Sequence, residues 1–155
     1  MEHSQHASQH YRSLLIMTVV SFAAMYVLMY SMVDSFANVY ANVNNLYMAG
    51  LMAMPMVVIE LAVMRGMYKD RRRNWLVGGV ATIAGVAFFM LIRVQGGVGD
   101  RQFVRSMIPH HASAILMCQQ APIRDEEIRN LCREIVSGQQ REVDQMKVIL
   151  DRLDR

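Results

Sequence analysis

The chain has 155 residues, 54% of them hydrophobic and 19% charged, with a formal net charge of +3. Its apolar residues run in blocks too long for the interior of a soluble domain this small, so part of its solvent is lipid. The positive charge does not mark a nucleic-acid binder, because Arg65, Lys69, Arg71, Arg72 and Arg73 crowd into one short connection, the pattern of a membrane-topology signal.

Residues 1–13 read as a polar tail carrying His3, His6 and His10. Met1-Glu2-His3 with a free amine has the spacing of a square-planar copper(II) or nickel(II) site, but a flexible polar terminus is the simpler expectation. A transmembrane region of three spans follows over residues 14–92. Segments 14–33, 46–64 and 75–92 each supply about 18 to 20 largely apolar residues, enough at about 1.5 Å per residue to cross a hydrocarbon core of about 30 Å. The first is longer than a signal-peptide core and lacks a small-x-small cleavage site, so it is expected to be retained. The 34–45 connection has no Lys or Arg, whereas the second connection holds the basic cluster and should stay cytoplasmic. The N-terminus then shares the cytoplasmic side. Everything after Ile92 emerges on the opposite face, which in a bacterial inner membrane is the periplasm.

Within the spans, Met48, Met52, Met56, Glu60 and Met64 recur at i+4, and Met25, Met29 and Met32 form a shorter row. Three spans with Met-x-x-x-Met in the second are similar to eukaryotic copper transporters, but the inferred topology is reversed, so helix-packing filler is preferred for these methionines. A carboxylate at Glu60, deep in a span, requires a partner or an aqueous cavity, and the sequence names neither. Ala81 and Gly85 make a small-x-x-x-small contact in the third span.

A glycine-rich linker, 93–99, precedes a hairpin over 100–155, completing an all-α chain. Asp100 is placed to cap a helix reaching about Gln120, the segment 121–124 with Pro122 makes the turn, and Asp125 caps a second helix that opens with Glu126 and Glu127. Ile128, Leu131, Cys132, Ile135, Met146, Ile149, Leu150 and Leu153 give that helix one apolar stripe. Two short helices cannot enclose a core, so another hairpin or the membrane region must cover the stripe, and a homodimer that closes a four-helix bundle is the economical expectation.

The hairpin also carries the chemistry. Met107 and His111 are related by i to i+4, His110 lies beside them, and Pro109 removes a helical hydrogen bond nearby. On the second helix Gln139, Glu142 and Met146 share a face, and Gln139 interrupts the stripe, where a polar group needs a partner. With a turn near residue 122, His111 is level with about residue 134 and Met107 with about Gly138, while Met146 lies on the order of 18 Å from His111. One hairpin then offers Met107, His110, His111 and Gln139 to a common site, and Glu142 and Met146 join across a dimer. A turn a few residues later admits Glu142 within one chain. Neighbouring histidines point about 100° apart, so His111, nearer the stripe, and His110 serve different directions. In the same register Cys118 is level with about residue 127, so an axial offset of about 7 Å adds to a helix separation of about 8–10 Å from Cys132. That exceeds disulfide reach, and free, buried thiols are expected, Cys118 being an outside candidate for copper(I). The blander reading makes the histidines, Gln139 and Glu142 a buried polar network that fixes helix register.

Asp100, Phe103, Met107, Ile108, His110, His111, Ala114 and Ile115, followed by Ile135, Gln139, Glu142, Val143, Met146 and Leu150, resemble the bacterial family called domain of unknown function 305. The His-rich start, three spans and basic second connection resemble its membrane-anchored branch. The resemblance implies a ferritin-like helical fold with a paired-His motif, a Q-x-x-E-x-x-x-M helix, and copper binding as in some members. Ile149 stands where the family often has Trp, and no family role carries over to Cys118 or Cys132.

Together these readings point to a membrane-anchored protein that binds copper at Met107, His110, His111, Gln139, Glu142 and Met146, buffering it or passing it to a periplasmic carrier. Other transition metals enter if Glu142 is a ligand. A ferritin-like di-metal oxidoreductase is the alternative, weakened because such sites use Glu-x-x-His pairs and this hairpin has none. A membrane interaction module with a metal-free polar core is the third. No nucleophile-base set, phosphate loop or Cys-x-x-Cys motif argues for an enzyme.

Overall fold

Helix is the only regular structure among the described residues of the computed structural model, which cover 2–155, with side chains described from Gln9 onward. Five α-helices follow in order: α1 Glu2–Leu28, α2 Val43–Val63, α3 Arg71–Val94, α4 Asp100–Gln120 and α5 Glu126–Leu153. Two 3₁₀ turns, Met29–Met32 and Phe36–Asn38, lie between α1 and α2. Three helical stretches, Gln9–Met32, Val43–Val63 and Arg71–Val94, are long and apolar enough to cross a membrane. They contain most of each expected span. Residues 9–13, assigned by sequence to the flexible tail, are already helical. The Met1-Glu2-His3 site and the side chains of His3 and His6 lie outside what the structure describes.

The chain divides into two compact units, one of Met1–Leu28 with Leu46–Gly96, the other of Met29–Asn45 with Gly97–Arg155. In the first, Leu14, Val57, Leu61, Tyr68 and Ala81 form a buried core, with Tyr11, Met17, Met54 and Val77 packed on it. Small residues let the helices approach: a Cβ on Gly50 would sit 2.6 Å from the Phe88 ring, and one on Gly85 would sit 3.4 Å from the Met54 Cβ. Gly85 is thus in ordinary van der Waals range of Met54, and Ala81 is buried one turn before it. The methionine row behaves differently from expectation. Met48 and Met52 are 40% and 48% exposed, so the row turns away from the core, and Met17 and Met54 supply the filler instead.

Glu60 has a partner that sequence spacing did not identify. The Tyr68 hydroxyl donates to Glu60 Oε1 at 3.4 Å, while the Tyr68 carbonyl accepts from Asn74 Nδ2 at 2.7 Å. Tyr11 lies against the same group, its hydroxyl 2.6 Å from Asn74 Oδ1 and its ring 5.3 Å from that of Tyr68. Burial, and then the Glu60 carboxylate, hold the Tyr68 hydroxyl above its usual titration range.

The second unit is the α4–α5 hairpin with the 29–45 segment against it. Ile108, Ile115 and Val143 are its largest fully buried side chains, each contributing about 1.5–3 kcal/mol relative to exposure. Val104, Ile108, Val143 and Leu150 cluster, with Tyr40, Met146 and Ile149 packed on them. Tyr40 comes from the segment that sequence reading used only as a topology marker. That segment is held by its own polar network: the Tyr30 hydroxyl donates to the Tyr40 carbonyl at 3.0 Å, and buried Asn42 donates to the same carbonyl at 3.0 Å. It reaches α4 through Val43 N–H to Gln102 Oε1 at 3.2 Å. The hairpin thus covers part of its stripe with its own chain, leaving Ile128 and Leu131 49% and 54% exposed on α5. Asp125 caps α5 as expected, accepting from Ile128 N–H at 3.0 Å, whereas Asp100 is the first residue of α4 and Gly99 holds the cap position.

Candidate functional site

The turn decides which side chains meet. Ala121 and Asp125 both have extended backbone, and Pro122 cannot continue α4, so the connection runs five residues, 121–125, before α5 begins. The two helices are consequently out of the register that a tight turn at residue 122 gives. Cys118, expected opposite residue 127, stands opposite Cys132, with a Cα–Cα distance of 5.2 Å and a disulfide between them. The expectation of free thiols is overturned, and with it any role for Cys118 as a copper(I) ligand. The offset is larger away from the turn: it is five residues at Cys132 and eight at His111, which meets Glu142 rather than a position near 134, and at the open end Arg101 reaches the Leu153 carbonyl at 3.0 Å and the Asp154 carboxylate.

His111 is buried on α4, its side chain 11% exposed, while Glu142 reaches it from the solvent side with 59% exposure. The His111 Nδ1 lies 2.9 Å from the Met107 carbonyl oxygen, which only accepts, so Nδ1 carries a proton. Nε2 lies 2.7 Å from Glu142 Oε2, and one further proton is shared between them, on the ring or on the carboxyl. The ring is thereby locked at both nitrogens. Sequence reading joined Glu142 to His111 only across a dimer or through a later turn, and the later turn is what the chain adopts.

The remaining residues divide. Met146 is one helical turn from Glu142 and Met107 one turn from His111, both toward the open end of the hairpin, so the two thioethers are level; Met146 is half-buried on the Val104–Leu150 cluster. The expected axial distance between Met146 and His111 was an outcome of the wrong register. His110 turns elsewhere. It is exposed, its ring centroid is 6.0 Å from that of His111 with planes at 62°, and with Met107, Ser106, Ser113 and Asn45 it lines a separate hollow of about 250 Å³. Gln139 Oε1 is buried without a hydrogen-bond partner among the described residues, and the partner its place in the stripe calls for is not a histidine. Among the described residues no group of three His, Cys, Asp or Glu side chains is placed to hold a metal ion.

Residues 82–151 match the family described as "Domain of unknown function (DUF305)". Over nearly the whole chain the sequence is similar to "Uncharacterized protein L153" of Acanthamoeba polyphaga mimivirus, 30% identical over 141 residues, covering 89% of this chain and 91% of that protein. No solved structure matches the chain significantly. The paired helices with His111 and Glu142 fall inside the matched region, the likeness extends through the three apolar helices, and the chain belongs to the DUF305 family.

Proposed function

We propose that this protein is a membrane-anchored metal-binding protein whose hairpin holds copper outside the cytoplasm, buffering it or handing it to a carrier. The observation that carries the reading is the His111–Glu142 pair. An imidazole whose Nδ1–H is fixed on a backbone carbonyl presents Nε2 in one orientation, the arrangement that orients a metal-ligating histidine. Glu142 lies at Nε2, and a cation with affinity for nitrogen and oxygen would take the place of the proton they share. Met107 and Met146 lie one turn from His111 and Glu142, Met107 lining the His110 hollow and Met146 packing on the core, and a side-chain rotation toward the pair would add the soft donors that favour copper(I), whereas the carboxylate extends the range toward copper(II), zinc or iron. His110 and Gln139 stand outside this donor set. The rest of the reading is topological: the basic 65–73 connection argues for a cytoplasmic loop, and a disulfide in the hairpin accords with an oxidising compartment such as the periplasm. Exposed Ile128 and Leu131 remain to be covered, which argues for a homodimer closing a ferritin-like four-helix bundle.

The rival is a structural ion pair in an interaction module, favoured by the lack, among the described residues, of a third His, Cys, Asp or Glu beside the pair. The oxidoreductase reading draws no support from a site with one carboxylate. Metal analysis of the purified full-length protein, supplied with copper in each oxidation state, separates the first two. His111→Ala should lower copper affinity by orders of magnitude, Glu142→Gln by less, and His110→Ala scarcely at all. Met107→Leu should weaken copper(I) more than copper(II), because only copper(I) strongly prefers thioether sulfur. Undiminished copper binding in His111→Ala, with helicity intact by circular dichroism, would leave the pair as structure.

A further inference from the structure

Where α2 and α3 approach the basic connection, the first unit has a groove of about 950 Å³. Its walls are mostly apolar, with buried Leu61 beside more exposed Val58 and Ile83; Tyr68, Asn74 and Thr82 add polar groups, and α3 contributes Gly78 and Gly79. A Cβ on Gly79 would meet nothing within 4 Å, so bare backbone faces open space there. Its mouth is lined by Arg65, Lys69, Arg71 and Trp75. Among the described residues none of these three cations is in an ion pair; Asp70, their nearest carboxylate in sequence, is held by Arg73 at 3.2 Å and accepts from the Arg73 N–H at 3.1 Å. Three such cations at one end of an open, mostly apolar groove, at the end of two helices of membrane-crossing length, match one ligand chemistry: a phosphodiester headgroup with an acyl chain beside it.

We propose that this groove binds one anionic phospholipid, its phosphate between Arg65, Lys69 and Arg71 and an acyl chain along Gly78 and Gly79. The inference rests on α2 and α3 crossing a membrane. It differs from general attraction of a basic loop to an anionic surface, because it requires the groove as well as the charge.

Trp75, the only tryptophan in the chain, is 83% exposed at the groove mouth and reports on what enters. The full-length protein is reconstituted into phosphatidylcholine vesicles containing a minor fraction of phosphatidylglycerol, with bromine on the acyl chains of one lipid or the other. Vesicle flotation checks insertion. Brominated phosphatidylglycerol should quench Trp75 several-fold more than brominated phosphatidylcholine at equal mole fraction. The Arg65→Gln, Lys69→Gln, Arg71→Gln triple variant should lose that preference. So should Gly79→Leu, which keeps every cation and fills the channel, with Val58→Phe as a second way to fill it. Equal quenching by both lipids in the wild type overturns the proposal. A preference that survives both filling variants overturns it too, since charge alone then accounts for the effect. Failure to float with the vesicles would reject the membrane reading itself.

Discussion

Breaking the Cys118–Cys132 bridge tests the hairpin register and its compartment together. The bridge closes a loop with a sequence separation of 14, and restoring that loop's freedom to the unfolded chain costs the fold about 3 kcal/mol at 25 °C by the chain-entropy relation. For a unit of this size such a loss lowers the melting temperature on the order of 15 °C. The Cys118→Ser, Cys132→Ser variant and the reduced wild type should show that loss alike, followed by circular dichroism of the full chain in detergent. The three apolar helices should keep their helicity, because their core shares no residue with the hairpin. Fraying should begin at the turn, since the open end keeps the Arg101–Asp154 ion pair. The chain has two cysteines, so a thiol-reactive polymer gives an unambiguous count. Membranes prepared with thiols blocked at lysis should show no adduct until reductant is added, then two. No adduct even after reduction, as free thiols blocked at lysis would give, or a melting curve that reductant leaves unmoved, would refute the pairing and return the hairpin to the register of a tight turn.

Chemical crosslinking in mild detergent should trap dimers that disappear when exposed Ile128 and Leu131 are both made polar; dimers that persist in this variant would place any interface elsewhere. Leu150 is unsuitable for that test, since it lies in the hairpin's own core and its loss would unfold the unit under study. In the first unit, Tyr68 titrates above its usual value of 10.0 in the folded chain, chiefly through burial and then through Glu60. Its contribution is fully present below the unfolded value and is lost as pH rises through the higher folded one, so stability should fall above about pH 10 and fall less in Tyr68→Phe. Melts between about pH 9 and 11 check this linkage, and an identical alkaline slope in the variant would sink it.

Hydrophobic length and charge made the architecture legible. An apolar run of membrane length between polar flanks has few alternatives, and an Asp immediately before Glu126 and Glu127 marks a helix start, as Asp125 does. Helix register was not legible, because it depends on how many residues the turn spends in extended backbone. Ala121, Pro122 and Asp125 hinted at a longer connection, but counting from the nominal turn at Pro122 discarded the hint. The offset is five residues at Cys132 and eight at Glu142, so neither stands where a turn at Pro122 puts it. The role of the 29–45 segment was hidden for another reason. Its Tyr40 and Asn42 carry no periodicity, and their value lies in non-local packing and carbonyl contacts that spacing does not encode.

The corrected register also changes what the paired histidines mean. Adjacent side chains on a helix diverge by about 100°, so a His-His pair is two separate statements about a helix surface. His111 points into the hairpin, where burial forces both ring nitrogens to find partners, and they find a carbonyl one turn back and a carboxylate on the facing helix. His110 points out, beside Met107 and the segment that precedes α2. A single metal held by both would require α4 to unwind at Pro109, yet the residues flanking Pro109 are helical and Ser113 donates back to the Pro109 carbonyl at 2.9 Å. Ligation by His111 with Glu142 would leave α4 helical and would need the loss of the shared proton and a small retreat of the exposed Glu142 carboxylate from 2.7 Å, which makes it the less costly route to a site on this hairpin and separates its chemistry from that of His110.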